Sequence, residues 1–400
     1  MARIPARRAL SRPSLGELLP LWAKHEAALR DPADIAGQGG APADPRLFVS
    51  RARGAFWNIV EETNATLFVT REYEHLVLAL RSEKGRSEVS YLRLPHPSGL
   101  AIDPKTGTMH IACTRNPNAV RSFKPLAGDL HRLDATAQHI DGRPLMPFRS
   151  LYLPGGTYLH DLAMIGNVLH GNSVGQNAVE RIDDAGAQPV WWPRCIEGKD
   201  GPIFGQNHIQ LNSIAAGKTL ESSFFSASAD VVTRRRPGHR NFAVDGRGVI
   251  FSGKTREAVV RGLTRPHSAR LHQDKLWVAD SGYGALCVAQ GEKPEVIAEL
   301  PGWTRGVAFW KGIAFVATSR VIPRYRQYAP GLDAERAVCG LHAVDLQSGA
   351  LLGSLIWPYG YQIFAVELAP SGMTTGFPFR PGRNTDNAAM KYLFYAFQTG

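Results

Sequence analysis

From about residue 56 onward, short apolar runs recur along the chain. Each is opened by a polar residue and most are followed by a turn and a second run. The openings read Ser98-Gly-Leu-Ala-Ile, His160-Asp-Leu-Ala-Met, Asn212-Ser-Ile-Ala-Ala, His267-Ser-Ala-Arg-Leu, Arg305-Gly-Val-Ala-Phe and Ile363-Phe-Ala-Val-Glu. Second runs follow as Met109–Thr114, Val168–Ser173, Leu276–Ser281 and Ile313–Ser319. Alternation and β-branched content make these strands. Units of this size repeated along a chain are the mark of a circular or stacked array. Asn64–Arg71 resembles a second strand with no opening before it, and the run from Gln362 is an opening with no second strand after it. The two complete each other. If the C-terminal run is the inner strand of a sheet with Leu67–Thr70, Leu76–Leu80 and Val89–Leu94, the array closes into a ring without exposed edges. The pattern predicts an all-β, six-bladed propeller.

The flanks lack that rhythm. Residues 1–46 read as a basic arm, a short helix and a Pro/Gly-rich linker. Ser14 and Glu17 have capping-box spacing, and Leu18, Leu21, Trp22 and Leu29 form an apolar face expected to pack on the body. The propeller is expected over 47–372, with 373–400 running over its surface.

Composition leaves this picture standing. Hydrophobic residues at 44% and 40 Gly with 27 Pro suit many strands and turns. No apolar run reaches the roughly 18 residues of a membrane span, and no secretory apolar centre opens the chain, so a cytoplasmic location is the expectation. The four cysteines are scattered without a C-x-x-C pair and read as packed thiols. The net charge of +11 is spread along the chain except at Arg234–Arg236. That spread argues against nucleic acid and for an anionic small-molecule partner or a glycan. The string Gly248–Thr255 fits a P-loop, but its residues read as a hairpin.

Five ordered motifs then carry a resemblance: Leu159-His-Asp-Leu-Ala163, Leu211-Asn-Ser-Ile-Ala215, Arg265–Arg270 with Leu276–Gly282, Leu300–Phe309 and Gln362–Val366. Over about residues 57–370 the chain resembles an uncharacterised bacterial β-propeller family, domain of unknown function 4915. That group is distantly similar to gluconolactonase, strictosidine-synthase and NHL-repeat propellers. The resemblance implies a propeller and carries no activity with it. The chain departs from the family pattern at Ala365, where an acidic residue is usual, and near Gln210, where a His is frequent.

A propeller brings its inner-strand openings to one axis, so Ser98, His160, Asn212, His267, Arg305 and Gln362 should meet. Dissimilar polar residues at equivalent positions suggest a site. His160, His267 and His208 are candidate ligands for one divalent metal ion, with His96 as a further imidazole. Without a metal, His160 with Asp161, or His267, offers a general base. Arg305 offers a bidentate anchor for an anion, and Ser98, Asn212 and Gln362 supply further substrate contacts. Asn172, Ser173, Asp280 and Ser281 fall at second-strand ends, where turn capping or lining of the mouth is expected. Trp191-Trp192 is expected to pack between blades. Two functions fit: a hydrolase, lyase or related enzyme acting on a small anionic molecule, or a non-catalytic propeller holding a glycan or protein partner.

Overall fold

The structure is a computed structural model describing residues 14, 16, 18–20, 22, 43–115, 118–129, 142–154, 156–233, 235, 237–382 and 397–399. Six antiparallel sheets, each built on four strands, form the blades of a propeller. Blade 1 is the closing one: Val366–Pro370 is its inner strand, followed outward by Ala65–Arg71, Leu76–Glu83 and Arg86–Arg93. Ala65 pairs with Pro370 and Val69 with Val366, so the two ends of the array zip together as the leftover strands predict. The inner strands of blades 2 to 6 are Pro97–Ile102, Leu159–Ile165, Leu211–Ala215, Pro266–His272 and Trp303–Trp310.

Blade edges are covered at two places that the sequence pattern did not reveal. Arg51–Gly54 adds a fifth strand outside Leu351–Ile356 of blade 6, and Phe397–Thr399 pairs with Ala119–Asp129 of blade 2. Between the first of these and blade 1 lies a helix, Phe56–Thr63, where strands were expected. Phe56, Ile59, Val60 and Thr63 recur at helical spacing and are buried, and Asn64 ends the helix in left-handed conformation. Phe377 and Phe379 are buried against Phe68, Phe123 and Tyr91, so this stretch joins the core at the outside of blades 1 and 2. Of the expected N-terminal helix, residues 16, 18–20 and 22 lie in helical backbone; the remainder and the basic arm fall outside the described residues. Leu19 and Trp22 are half exposed rather than packed.

The P-loop string is a hairpin: Gly248–Ser252 returns as Ala258–Leu263. All four cysteines are free, and burial pushes the Cys113 thiol up to about 11 and that of Cys339 to about 12. Trp191 packs on Phe225 with ring centroids 4.1 Å apart and donates from Nε1 to Gly253.

Side chains at second-strand ends stitch blades together at four of the six junctions. Thr70 Oγ1 donates to the carbonyl of Ser98 at 2.7 Å, Asn172 Nδ2 to Leu211 at 2.5 Å, Ser281 Oγ to Thr304 at 2.6 Å and Ser319 Oγ to Ile363 at 3.2 Å. These bonds satisfy backbone carbonyls at the start of the inner strands. Asn172 and Ser281, expected as turn caps or mouth residues, hold neighbouring blades in register.

Candidate functional site

The openings reach the axis because the inner strands bulge there. In blades 2, 5 and 6 the pairing register slips between Pro97 and Leu100, His267 and Arg270, and Thr304 and Val307. In blades 3 and 4 it slips around His160 and Asn212. A bulge leaves a residue outside the ladder and re-aims its side chain. Two residues before four of the openings, His96, Tyr158, Gln210 and Arg265 all take positive φ between 45° and 56°. This turn, uncommon for residues other than Gly, sends each chain steeply into the channel. Gly99 permits the tightest approach: a Cβ there would lie 2.5 Å from the Leu162 amide nitrogen.

At the upper end of the channel, where the inner strands begin, Ser98, His160, Asn212, His267, Arg305 and Gln362 are all buried, none more than 6% exposed. The Arg305 guanidinium stacks 3.1 Å from the centroid of Phe364 and lies 5.9 Å from that of Trp303. Phe364 also packs edge-on against His160, and Trp303 against His267. Two further guanidiniums stand beside these groups. Arg265 lies 4.2 Å over the Tyr328 ring and is bonded to Gln210; Arg115 lies 5.4 Å over Tyr158 and pairs with Glu72 at 2.6 Å. Stacking occupies the guanidinium faces and directs recognition to their edges.

Burial first, and then the Arg305 charge, hold both His160 and His267 well below the usual imidazole range; Arg265 acts on both in the same direction. They are neutral at pH 7. His267 Nδ1 lies 2.8 Å from the Arg265 carbonyl and 2.9 Å from Ser281 Oγ, whose own hydrogen goes to Thr304. A carbonyl only accepts, so Nδ1 carries the proton and the lone pair is on Nε2. Two other channel groups keep buried polar atoms without hydrogen-bond partners, His160 Nδ1 and Gln362 Oε1, while the Asn212 side chain hydrogen-bonds His160.

The structure separates other candidates from this cluster. Asp161 does not serve His160: its carboxylate accepts the Ile214 amide at 3.0 Å and pairs with Arg270 at 2.8 Å, lower in the channel. Ser98 Oγ is directed at the carbonyls of Ala112 and Leu159, a link between blades 2 and 3. Asn212 Nδ2 donates to Ser228 Oγ and the Pro266 carbonyl, and its side chain also hydrogen-bonds His160, so it serves the site as a holder of that imidazole. The expected metal set of His160, His208 and His267 is not assembled. Among the described residues no group of three or more His, Cys, Asp or Glu side chains could hold a metal ion. His208 lies on the loop before its strand, with its backbone anchored to Asn177, and the arginines beside the other two imidazoles oppose a cation. His96 sits against His75, with Nδ1 3.8 Å from Glu72. Arg115, Arg265, Tyr158, Phe364 and Trp303 were not singled out as candidates. The available signal was the residue two before each opening, where polar and aromatic side chains recur.

The profile of a family described as a domain of unknown function, DUF4915, matches residues 54–376. The chain belongs to this family. The match spans all six blades of the DUF4915 propeller. Among solved structures, a chain from the crystal structure of a nidogen/laminin complex aligns with TM-score 0.51 and 11% identity, over 77% of this chain and 99% of its own. A gluconolactonase from Xanthomonas campestris aligns with TM-score 0.42 and 15% identity, over 66% of this chain and 77% of its own. Likeness at such identity concerns the fold. No curated protein sequence matches the chain.

Proposed function

We propose that this DUF4915 propeller takes a small anionic molecule into the upper end of its channel, that Arg305 anchors the anion, and that His267 exchanges a proton with it. The observation that carries the reading is two buried polar atoms lacking partners, His160 Nδ1 and Gln362 Oε1, in a pocket whose imidazoles feel the buried charge of Arg305. A buried polar atom left unsatisfied costs about 1–3 kcal/mol, and a ligand that supplies the missing bond recovers it. Arg265 and Arg115 extend the positive field to the mouth and favour entry of an anion. With its proton fixed on Nδ1, neutral His267 offers Nε2 as a base at neutral pH. Elimination or hydrolysis at a carbon beside the anionic group is the chemistry that arrangement serves.

Calorimetric titration with small carboxylates, phosphate esters and sulfated sugars tests the reading. At least one should bind, its neutral isostere should not, and Arg305→Gln should weaken binding tenfold or more, as loss of a charge-assisted contact of about 1.5–3 kcal/mol requires. Unchanged affinity in Arg305→Gln would remove the anion site. For a compound that turns over, His267→Gln should abolish turnover and change affinity less than about threefold. Tight binding without turnover in the unaltered protein would make the propeller a receptor for an acidic glycan or protein segment.

A further inference from the structure

The opposite end of the channel has the reverse charge. Asp161 and Arg270 form a close pair, with Arg270 nitrogens 2.8 and 3.3 Å from the two carboxylate oxygens, and the amides of Ile214 and Leu162 complete the shell around Asp161. The same guanidinium reaches Glu367 only at 3.8 Å. Two carboxylates thus share one cation. Glu367 and Arg270 form the polar floor of a cleft of about 480 Å³ at the ends of the inner strands of blades 1 to 5, and Asp161 holds Arg270 from behind it. Leu100, Ile102, Leu162, Met164, Leu368 and Met373 are among its apolar walls. A volume of this order suits one small organic molecule.

We propose that this lower cleft is a second binding site, for a primary amine carried on a compact apolar body, with its ammonium group on Glu367. The walls bury the body. The ammonium supplies the positive charge that the two carboxylates lack and donates to an oxygen that Arg270 does not hold closely. Burial pushes the Glu367 carboxyl up to about 7, with Arg270 opposing and Asp161 adding to the rise; these are the charged groups that face it. An ammonium ligand therefore binds the ionised carboxylate and strengthens as pH rises from 6 to 8, because the amine keeps its own proton to about pH 10.

The test uses the full chain and three probes with one apolar body: 4-phenylbutylamine, 4-phenylbutanol and 4-phenylbutanoate. Calorimetry at pH 8 should rank the amine at least tenfold tighter than the alcohol, with the carboxylate weakest, and the amine should lose several-fold of its affinity at pH 6. Glu367→Gln should bring amine and alcohol together. Ala216→Trp, which fills the cleft, should abolish both. Equal binding of amine and alcohol to the unaltered protein, preference for the carboxylate, or no binding of any probe would overturn the proposal without recourse to the variants. Amine affinity that survives Ala216→Trp in a folded protein would do so as well.

Discussion

His267 and Arg305 occupy equivalent places in adjacent blades, yet their surroundings give them different work. The imidazole is fixed by a carbonyl and a hydroxyl, whereas the guanidinium is held by aromatic faces. The same burial that keeps channel imidazoles neutral shapes the acid response of the protein. His342 shows it away from the site. It is fully buried in blade 6 between Thr318 and Ser354, and burial lowers its pKa to about 4. The unfolded chain takes up a proton near pH 6.5 that the native state refuses, so stability present above 6.5 is lost as pH falls toward 4. Denaturant unfolding should show His342→Gln with a stability slope flatter than the parent by about 1.4 kcal/mol per pH unit in that window. Parallel slopes would mean that His342 is not buried neutral. At this scale the sequence was informative about the six openings, because a repeat puts equivalent residues on one axis. It misled at Asp161, expected beside His160 as part of a general base but paired with Arg270, since one step along a strand turns a side chain away. It was silent about Arg265 and Arg115, which reach the mouth from turns outside the aligned strands.

The bulged inner strand is the element that makes the site. Gly306, the residue after Arg305, has φ +87°, and a Cβ there would lie 2.9 Å from Val366 Cγ2 and 3.1 Å from the Ala365 carbonyl carbon. Gly306→Ala should cost about 1–3 kcal/mol of stability. It should also weaken binding of any anion that Arg305 holds, because straightening the bulge returns Arg305 to the ladder. Gly291 has a similar φ of +69° with open space around it. Gly291→Ala should show a smaller loss in a thermal melt and no change in anion affinity. Equal effects at the two glycines would mean that the bulge does not aim Arg305. Bulges and left-handed turns are poorly visible in a sequence: Tyr158, Gln210 and Arg265 are not residues that announce positive φ. The helix Phe56–Thr63 was missed for a related reason. Its apolar residues stand beside strand-forming runs, and only its burial shows that the period is helical.

Across the whole molecule, the ring and the field belong together. Closure by Val366–Pro370 covers the edge of Ala65–Arg71, and the strand leads in from the Gln362–Ala365 segment that brings Phe364 and Gln362 to the axis. A chain ended at residue 361 should leave that edge open and run as aggregates in size-exclusion chromatography; a soluble monomer with the parent melting transition would show that closure is dispensable. Closure was legible from the sequence because an opening without a second strand and a second strand without an opening define one missing blade. The charge arrangement was not, since it depends on Arg270 answering Asp161 from another blade. The central claim is that the upper channel is an anion site. Its most direct measurement is an anomalous difference map from crystals soaked in selenate. The account predicts a peak within hydrogen-bond distance of the Arg305 guanidinium, between His160 and His267. Peaks confined to surface arginines, with none on the channel axis, would contradict it.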